Sequence, residues 1–162
     1  MRYIAGTVDQ KTLSITLRLN YNITPNLTLQ YYGQPFISKG QYQDFKFITN
    51  SLAEDFNDRF HQFNDQQIIF DTKEDFYAID ENNDGEIDYS FGNPDFNFIQ
   101  FRSNMVARWE YIPGSEIFLV WSQGITNFGD PNEKLLPSLS DNLFKEKAHN
   151  IFLIKMTYRF LR

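Results

Sequence analysis

The chain has 162 residues, a net charge of −6 and no cysteine. This length suits one domain, and the negative charge, together with the lack of any cluster of basic residues in the sequence, argues against a nucleic-acid partner. The absence of cysteine excludes a disulfide scaffold and a thiolate metal site. Aromatic residues make up 17% of the chain, including 17 Phe and 9 Tyr, a proportion more typical of lipid-facing strands than of a water-soluble core.

The first predicted strand covers residues 12–22, where apolar and polar side chains alternate strictly. The apolar face carries Leu13, Ile15, Leu17, Leu19 and Tyr21, and the polar face carries Ser14, Thr16, Arg18, Asn20 and Asn22. The strand is close to the roughly 9–11 residues that a tilted strand needs to cross a bilayer. Turn formers at 23–26 lead to a second predicted strand at 27–36, where Pro35 is expected to end regular pairing.

Residues 37–95 lack this alternation and are predicted to form a long extracellular loop. Within it, residues 51–63 begin with the spacing of a capping box and continue with apolar residues at helical intervals, so a short amphipathic helix is expected. Two short strands outside the membrane are predicted at 67–70 and 76–79.

Alternation resumes after this loop and predicts three more strands, at 97–111, 116–123 and 150–161. A short turn at 112–115 and a second extracellular loop at 124–148 connect them, and residues 2–8 can add a sixth strand. Short turns at one end and long loops at the other are the arrangement of outer-membrane barrels.

These elements predict an all-β fold, an antiparallel up-and-down transmembrane β-barrel portion of about five or six strands. Bacterial barrels have at least ~8 strands, so residues 1–162 are interpreted as a single C-terminal barrel segment with two unpaired edges. No run of ~18 apolar residues predicts a transmembrane helix, and an export signal is expected upstream of Met1. The alternative is a two-sheet β-sandwich that buries its apolar stripes mutually.

One acidic segment, residues 80–88, has the spacing of a calcium loop. The candidate metal ligands are Asp80, Asn82, Asp84, Glu86 through its carbonyl, and Asp88. Gly85 suits the sharp turn at the sixth position, but Phe91 stands where an EF-hand has its bidentate Glu, so Asp88 would supply that carboxylate. The alternative is an acidic, Asn/Gly-rich turn without metal.

No arrangement of residues indicates catalysis, so the protein is not expected to be an enzyme. His61 and His149 are the only histidines and lie far apart in the sequence. Each is interpreted as a surface or loop histidine. No Ser/His/Asp order, phosphate-binding glycine loop or carboxylate pair in an apolar pocket is present.

Three stretches of the sequence carry a family resemblance: NITPNLTLQYYGQPF, DENNDGEIDYSFGNPDFNFIQFRSNMVARWEYIPGSEIFLVWSQ and NIFLIKMTYRF. They resemble the C-terminal end of large bacterial outer-membrane proteins, which join an N-terminal carbohydrate-binding module of the family-nine type to a C-terminal barrel domain of unknown function. The resemblance extends over nearly the whole chain. The final strand also resembles the C-terminal signal by which the barrel-assembly machinery recognises its substrates, although Leu161 and Arg162 follow the usual aromatic end at Phe160.

The expected function is therefore that of an outer-membrane barrel segment in a cell-surface protein. The resemblance implies a bacterial outer-membrane location, with lipid, the rest of the parent chain, the assembly machinery and glycans as partners. Glycan binding or uptake would depend on the N-terminal module, which this chain does not contain, so no sugar-binding residue is assigned. The alternative is a soluble, calcium-stabilised β-sandwich that acts as a binding module.

Overall fold

The computed structural model describes residues 2–160 and is mostly β. The strands are β1 (Ile4–Ser14), β2 (Leu17–Thr24), β3 (Leu27–Ile48), β4 (Phe60–Gln62), β5 (Ile68–Asp71), β6 (Phe76–Ile79), β7 (Tyr89–Gly92), β8 (Phe96–Ile112), β9 (Ser115–Phe128) and β10 (His149–Thr157). The helical segments are a 3-10 helix at Phe56–Arg59 and helix α1 at Leu135–Asn142. Among the described residues, no helix has the length and apolar character needed to cross a membrane.

The strands form two antiparallel sheets. Seven strands make the larger one, in which the order is β1-β3-β8-β9-β10 and β3 also pairs with β2 and β4. The smaller sheet has the order β5-β6-β7. Across residues 2–160 the larger sheet is open, because β1 and β10 stand at opposite ends of its order. The prediction of antiparallel β-structure is confirmed, in a fold that is mostly β and also contains α1.

The chain divides into two compact units. Among the described residues, unit 1 comprises 2–10 and 40–95, and unit 2 comprises 11–39 and 96–160. Unit 1 has an aromatic core formed by Phe45, Phe47, Phe63 and Ile79. Unit 2 has a smaller aliphatic core formed by Ile37, Ile99, Leu139 and Leu143.

The prediction of one strand at 12–22 is wrong, because β1 ends at Ser14 and β2 begins at Leu17. The hairpin of β2 and β3 confirms the first predicted turn but corrects the end of the second predicted strand. Leu17 pairs with Gly33, and the strands meet at a turn centred on Pro25 and Asn26. Regular structure does not stop at Pro35, because β3 continues to Ile48. The Pro35 carbonyl accepts a hydrogen bond from the Ile15 amide, and the break between β1 and β2 falls at this level, where the missing proline N–H is tolerated.

Strands β8, β9 and β10 form a three-stranded meander close to the predicted bounds. The turn between β8 and β9 contains Gly114 at φ +80°, a conformation that suits glycine. Strand β9 runs on to Phe128, five residues beyond the predicted end. Strand β10 ends at Thr157, before the predicted end at residue 161. Leu161 itself lies outside the described residues.

The predicted helix at 51–63 is wrong. The structure has only the 3-10 helix at Phe56–Arg59, whose N-cap is Asp55 rather than the predicted capping box. The next residues form β4 and pair with the end of β3, with Phe47 opposite His61. Strand pairing with β3 overrides the local helical spacing. The two short strands predicted in this segment are confirmed as β5 and β6.

Helix α1 lies in the segment that was predicted as a loop at 124–148. Its N-cap is Lys134, so Pro137 falls in the first helical turn. The amides of that turn have no partner within the helix, so proline is tolerated there. The helix places Leu139 in the core of unit 2 and leaves Leu136 exposed.

Candidate functional site

One face of the sheet in unit 2 carries apolar side chains in register across its strands. Directly opposed residues of an antiparallel pair point to the same face, so the pairings define rows. On β8, β9 and β10 these rows are Met105–Trp121–Phe152, Ala107–Leu119–Ile154 and Trp109–Ile117–Met156. None of these side chains is charged.

The same face continues onto β2 and β3. Its rows there are Leu17–Gly33, Leu19–Tyr31 and Tyr21–Leu29. The residues that alternate with these on β2 lie on the opposite face of the sheet. Two of them, Arg18 and Asn20, line one depression together with Asn104 and Val106 of β8. Leu17 and Leu19 therefore share a face with Met105 and Ala107 of β8.

This part of the face is exposed, and we refer to the rows named above as the bare half. Leu119 is 50% exposed in the centre of β9, and Leu19 is 53% exposed on β2. On β10 the exposure rises to 73% for Ile154 and 74% for Phe152. A soluble protein rarely leaves so broad an apolar surface without a partner.

The remaining part of the same face is covered by α1, and we refer to it as the covered half. Ile99 and Phe101 follow the same alternation on β8 as Met105. Ile99 is 1% exposed and packs in one cluster with Ile37, Leu139 and Leu143. The two halves therefore belong to one face of one sheet, but only the first lacks a covering layer.

A buried polar network holds α1 on the covered half. Asn97, which is 2% exposed, donates hydrogen bonds to the Asp130 carbonyl and to Ser138 Oγ, both at 2.8 Å. Lys39 Nζ donates to the carbonyls of Pro131 and Glu133, also at 2.8 Å. These contacts satisfy the Asn97 amide nitrogen and the Lys39 ammonium, which burial would otherwise penalise, and they tie the segment before α1 to the sheet. The Asn97 Oδ1 atom is buried without a partner among the described residues.

A row of polar side chains separates the two halves. Ser103 pairs with Gln123, and Gln123 pairs with Asn150, so the row crosses three strands. The next row contains Trp121, whose indole Nε1 donates a 2.9 Å hydrogen bond to Asn150 Oδ1. A tryptophan with its ring on the apolar side and its N–H on the polar side is typical of a membrane interface.

Aromatic residues also mark the other end of the bare half. Trp109 and Tyr111 pack edge to face near the turn between β8 and β9, and Tyr21 lies near the turn between β2 and β3. The strand from Ser103 to Tyr111 spans about 27 Å at roughly 3.4 Å per residue. A strand tilt of about 40° reduces this to about 20 Å, close to the roughly 25 Å apolar band of outer-membrane barrels.

The opposite face of the same strands carries the charged residues, together with one apolar row, Val106–Val120–Leu153. Arg108 forms a salt bridge with Glu116. Arg18 lies over the ring of Tyr32 at 5.5 Å, and Lys155 lies over the ring of Phe118 at 5.7 Å. The face thus has the pairs that stabilise charges in a hydrated environment.

The predicted calcium ligands lie in one loop of unit 1, wrapped around Asp80. Asp80 is buried, and its two carboxylate oxygens accept hydrogen bonds from the amides of Asp84 and Gly85 at 3.1 and 2.8 Å. Asp88 Oδ2 accepts a hydrogen bond from the Glu81 amide at 2.8 Å. Gly85 has φ +90°, as the sharp turn of the predicted sixth position requires.

The exposed end of this loop is held by Asp84. Its carboxylate accepts hydrogen bonds from the Glu86 amide and from Asn82 Nδ2, and these two bonds lower the pKa of Asp84. Among the described residues, no group of three or more His, Cys, Asp or Glu side chains is placed to hold a metal ion. The predicted set contains three such side chains, Asp80, Asp84 and Asp88, and they are not brought together as such a group.

Next to the loop, Tyr89 donates a 3.0 Å hydrogen bond to Glu81 Oε2, and Glu81 Oε1 pairs with Arg2. Burial, with the hydrogen bond to Glu81, raises the pKa of Tyr89 to about 12. The phenol is therefore neutral at physiological pH and acts as a hydrogen-bond donor that fixes one side of the loop.

Sequence reasoning did not identify three features of unit 2. Helix α1 and its polar network join residues that are distant in the sequence, such as Lys39 and Glu133. The third feature is Gly124, which lies between Arg102 and His149 in one row. The sequence did contain a signal for the gap at Gly124, because a glycine inside a strand often marks a place where a ligand or another backbone approaches closely.

Comparison with known proteins gives one family for the whole chain. No curated protein and no solved structure matches it. The family model described as "Domain of unknown function (DUF5916)" matches residues 1–161. The chain therefore belongs to the family of that domain of unknown function, DUF5916.

Proposed function

We propose that this chain is a membrane-embedded β-segment of a cell-surface protein in the bacterial outer membrane. The observation that carries the proposal is the bare half of the sheet in unit 2, an uncharged apolar surface on five strands. In water, apolar surface costs roughly 25 cal/mol per Å² relative to burial. Lipid acyl chains remove that cost without any covering protein layer.

The ends of the bare half support a membrane in particular, rather than another apolar partner. Trp121 with Asn150 marks one end, and Trp109 with Tyr111 marks the other. Aromatic residues with a polar edge concentrate at the two headgroup levels of a bilayer. A protein partner would not require aromatic residues at both ends of the bare half, separated by a distance close to the thickness of a membrane's apolar band.

The rest of the parent chain is the proposed partner of the two sheet edges. In lipid each unsatisfied backbone group costs several kcal/mol, so spanning sheets close on themselves. Strand β10 also exposes apolar residues on its second face, where Ile151 and Leu153 are both more than half exposed. Further strands that continue the sheet beyond β10 and β2 would satisfy these edges and complete a barrel.

Two further partners follow from the sequence resemblance. Strand β10 is the proposed signal for the barrel-assembly machinery. Glycans are the proposed ligands of the parent protein, through the N-terminal carbohydrate-binding module that the resemblance implies. This segment would then anchor that module at the cell surface, and no residue of the chain is assigned a catalytic role.

Depth-dependent fluorescence quenching tests the membrane proposal, because Trp109 and Trp121 are the only tryptophans. The chain is refolded into vesicles that contain lipids brominated either near the headgroup or deep in the acyl chain. Both tryptophans should be quenched, more strongly by the shallow bromines, and W109F and W121F separate their signals. Unquenched fluorescence that remains accessible to aqueous iodide would contradict the proposal and favour the soluble β-sandwich.

Calcium binding by the loop at 80–88 is a separate proposal. The turn at Gly85 and the backbone amides of Asp84 and Gly85, which wrap the loop around the Asp80 carboxylate, support it. Binding requires that calcium replace some of the present hydrogen bonds with coordination to oxygen. Isothermal calorimetry with calcium, using D84A as the variant and E74A as a control outside the loop, tests it. No heat of binding, or equal binding by D84A, would favour the plain acidic turn.

A further inference from the structure

The polar face of unit 2 contains a hollow at Gly124. Arg102 on β8 pairs with Gly124, and Gly124 pairs with His149 on β10. The glycine therefore lies between two side chains that point to the same face. A Cβ atom added at Gly124 would meet no other atom within 4 Å, so the gap is open and not filled from neighbouring rows.

The walls of this hollow are rich in hydrogen-bond donors. Tyr32 of β3 borders it, and the adjacent row contributes Asn104 and Ser122, which hydrogen-bond to each other. The lining includes Arg102 and His149 but no Asp or Glu. The nearest salt bridge on this face, Arg108–Glu116, lies three rows along the sheet.

The side chains of Arg102 and His149 are both available to a ligand. Within residues 2–160, neither Arg102 nor His149 has a side-chain hydrogen bond or ion pair to another residue, and both are exposed. Elsewhere on the face the cations are engaged: Arg18 lies over Tyr32, Lys155 over Phe118, and Arg108 pairs with Glu116. Arg102 is therefore the guanidinium on this face that lacks such a partner.

We propose that the hollow at Gly124 binds an oxyanion, a carboxylate or phosphate group of a small solute, between Arg102 and His149. The guanidinium presents two parallel N–H donors that match the two oxygens of such a group. The imidazole adds a donor from the other side, and the missing side chain at Gly124 leaves room for the ligand. The site does not depend on the membrane proposal, because the polar face is open to water in either case.

Histidine NMR spectroscopy on the full chain in detergent micelles tests this site. The chain has two histidines, so ¹³C-labelled histidine gives one imidazole signal from His149 and one from His61, which lies in unit 1. Sodium acetate and sodium phosphate are titrated separately at constant ionic strength. We expect a saturable shift of the His149 signal with at least one of the two anions, and no saturable shift of the His61 signal.

Three variants assign the binding to the hollow. R102Q removes the charge and should weaken binding about 10- to 100-fold, and G124L should abolish the saturable shift by filling the gap. K155Q removes a charge from the same face away from the hollow and should bind as the unchanged chain does. The fluorescence of Trp109 and Trp121, which lie in unit 2, reports that unit 2 is folded in each variant. A linear, unsaturable shift with both anions, or unchanged binding in R102Q, would overturn the proposal.

Discussion

The two halves of one sheet face in unit 2 differ in what covers them. The covered half lies under α1, with Ile99 and Leu139 buried and a polar network around Asn97. The bare half has the same alternation and the same kind of side chain, yet Leu119 and Ile154 are exposed. The polar row that includes Gln123 separates them.

This difference shows that apolar alternation alone does not identify the surroundings of a strand. On the covered half, the chain provides a helix and enough hydrogen bonds to bury it. On the bare half, the described residues of unit 2 provide no layer, and the aromatic residues at both ends suit a lipid boundary. The position of α1 therefore separates the part of the face that the chain covers itself from the part that we propose faces lipid.

The largest effect is expected for the residues that α1 buries. L139A should reduce the free energy of unfolding by about 2–5 kcal/mol, because a buried leucine leaves a cavity under the helix. L136A is the matched control on the exposed side of α1 and should change it by less than about 0.5 kcal/mol. Denaturant melts in detergent measure both. Equal effects of the two variants would show that α1 does not cover the sheet.

A new charge should distinguish the bare half from the opposite face. L19R should cost about 2–4 kcal/mol in a bilayer near its midplane, because Leu19 lies in the middle of the apolar band on β2. N20R places the same charge one residue further, on the polar face, and should cost little. Folding in lipid vesicles measures the difference. If L19R is as well tolerated as N20R, the bare half faces water.

A smaller effect is expected from the network that holds α1. S138A removes the hydroxyl that accepts from Asn97 and Asn142, and should cost about 1–3 kcal/mol because buried donors lose their partner. S140A, at an exposed position of the same helix, should be nearly neutral. Hydrogen exchange of the α1 amides should rise in S138A and stay unchanged in S140A. Unchanged exchange in both would mean that the network does not hold the helix.

The acidic loop gives the smallest expected effect, which depends on pH. The pKa of Asp84 is lowered in the folded loop, so its contribution to stability is present above the ordinary carboxyl pKa of about 4. That contribution is lost as the pH falls through the lowered, folded pKa. NMR titration of the Glu86 amide, which donates to Asp84, should report this loss, and D84N should remove it. A Glu86 amide signal that is independent of pH would contradict the assignment.

Most of the sheet could be predicted from the sequence because its signal is local. Strict alternation at 97–111 and the turn residues Pro25, Asn26 and Gly114 specify strands and hairpins over short distances. The alternation at 12–22 predicted strand structure but missed its division, because β1 ends at Ser14 and β2 begins at Leu17. The predictions that were wrong involve competition with distant partners. Residues 60–62 pair with β3 rather than continue a helix, and no local pattern contains that information.

The site was predictable in part. The spacing of Asp80, Asp84 and Gly85 predicted a sharp turn at Gly85, which the structure has, whereas occupation of the loop by calcium stays a prediction. The covering of Ile99 was not predictable, because Leu139 reaches it only through a helix that Pro137 obscured. The gap at Gly124 required the register of three strands, which defines its neighbours Arg102 and His149.

Cysteine labelling tests the central claim most directly, because the chain has no cysteine of its own. Single cysteines replace Leu17 and Met105 on the bare half, and their neighbours Arg18 and Asn104 on the polar face, in the intact parent protein in isolated outer membranes. Positions 17 and 105 should react with a lipid-soluble reagent and resist an aqueous maleimide, and positions 18 and 104 should do the reverse. Equal aqueous labelling at all four positions would contradict a lipid-facing sheet.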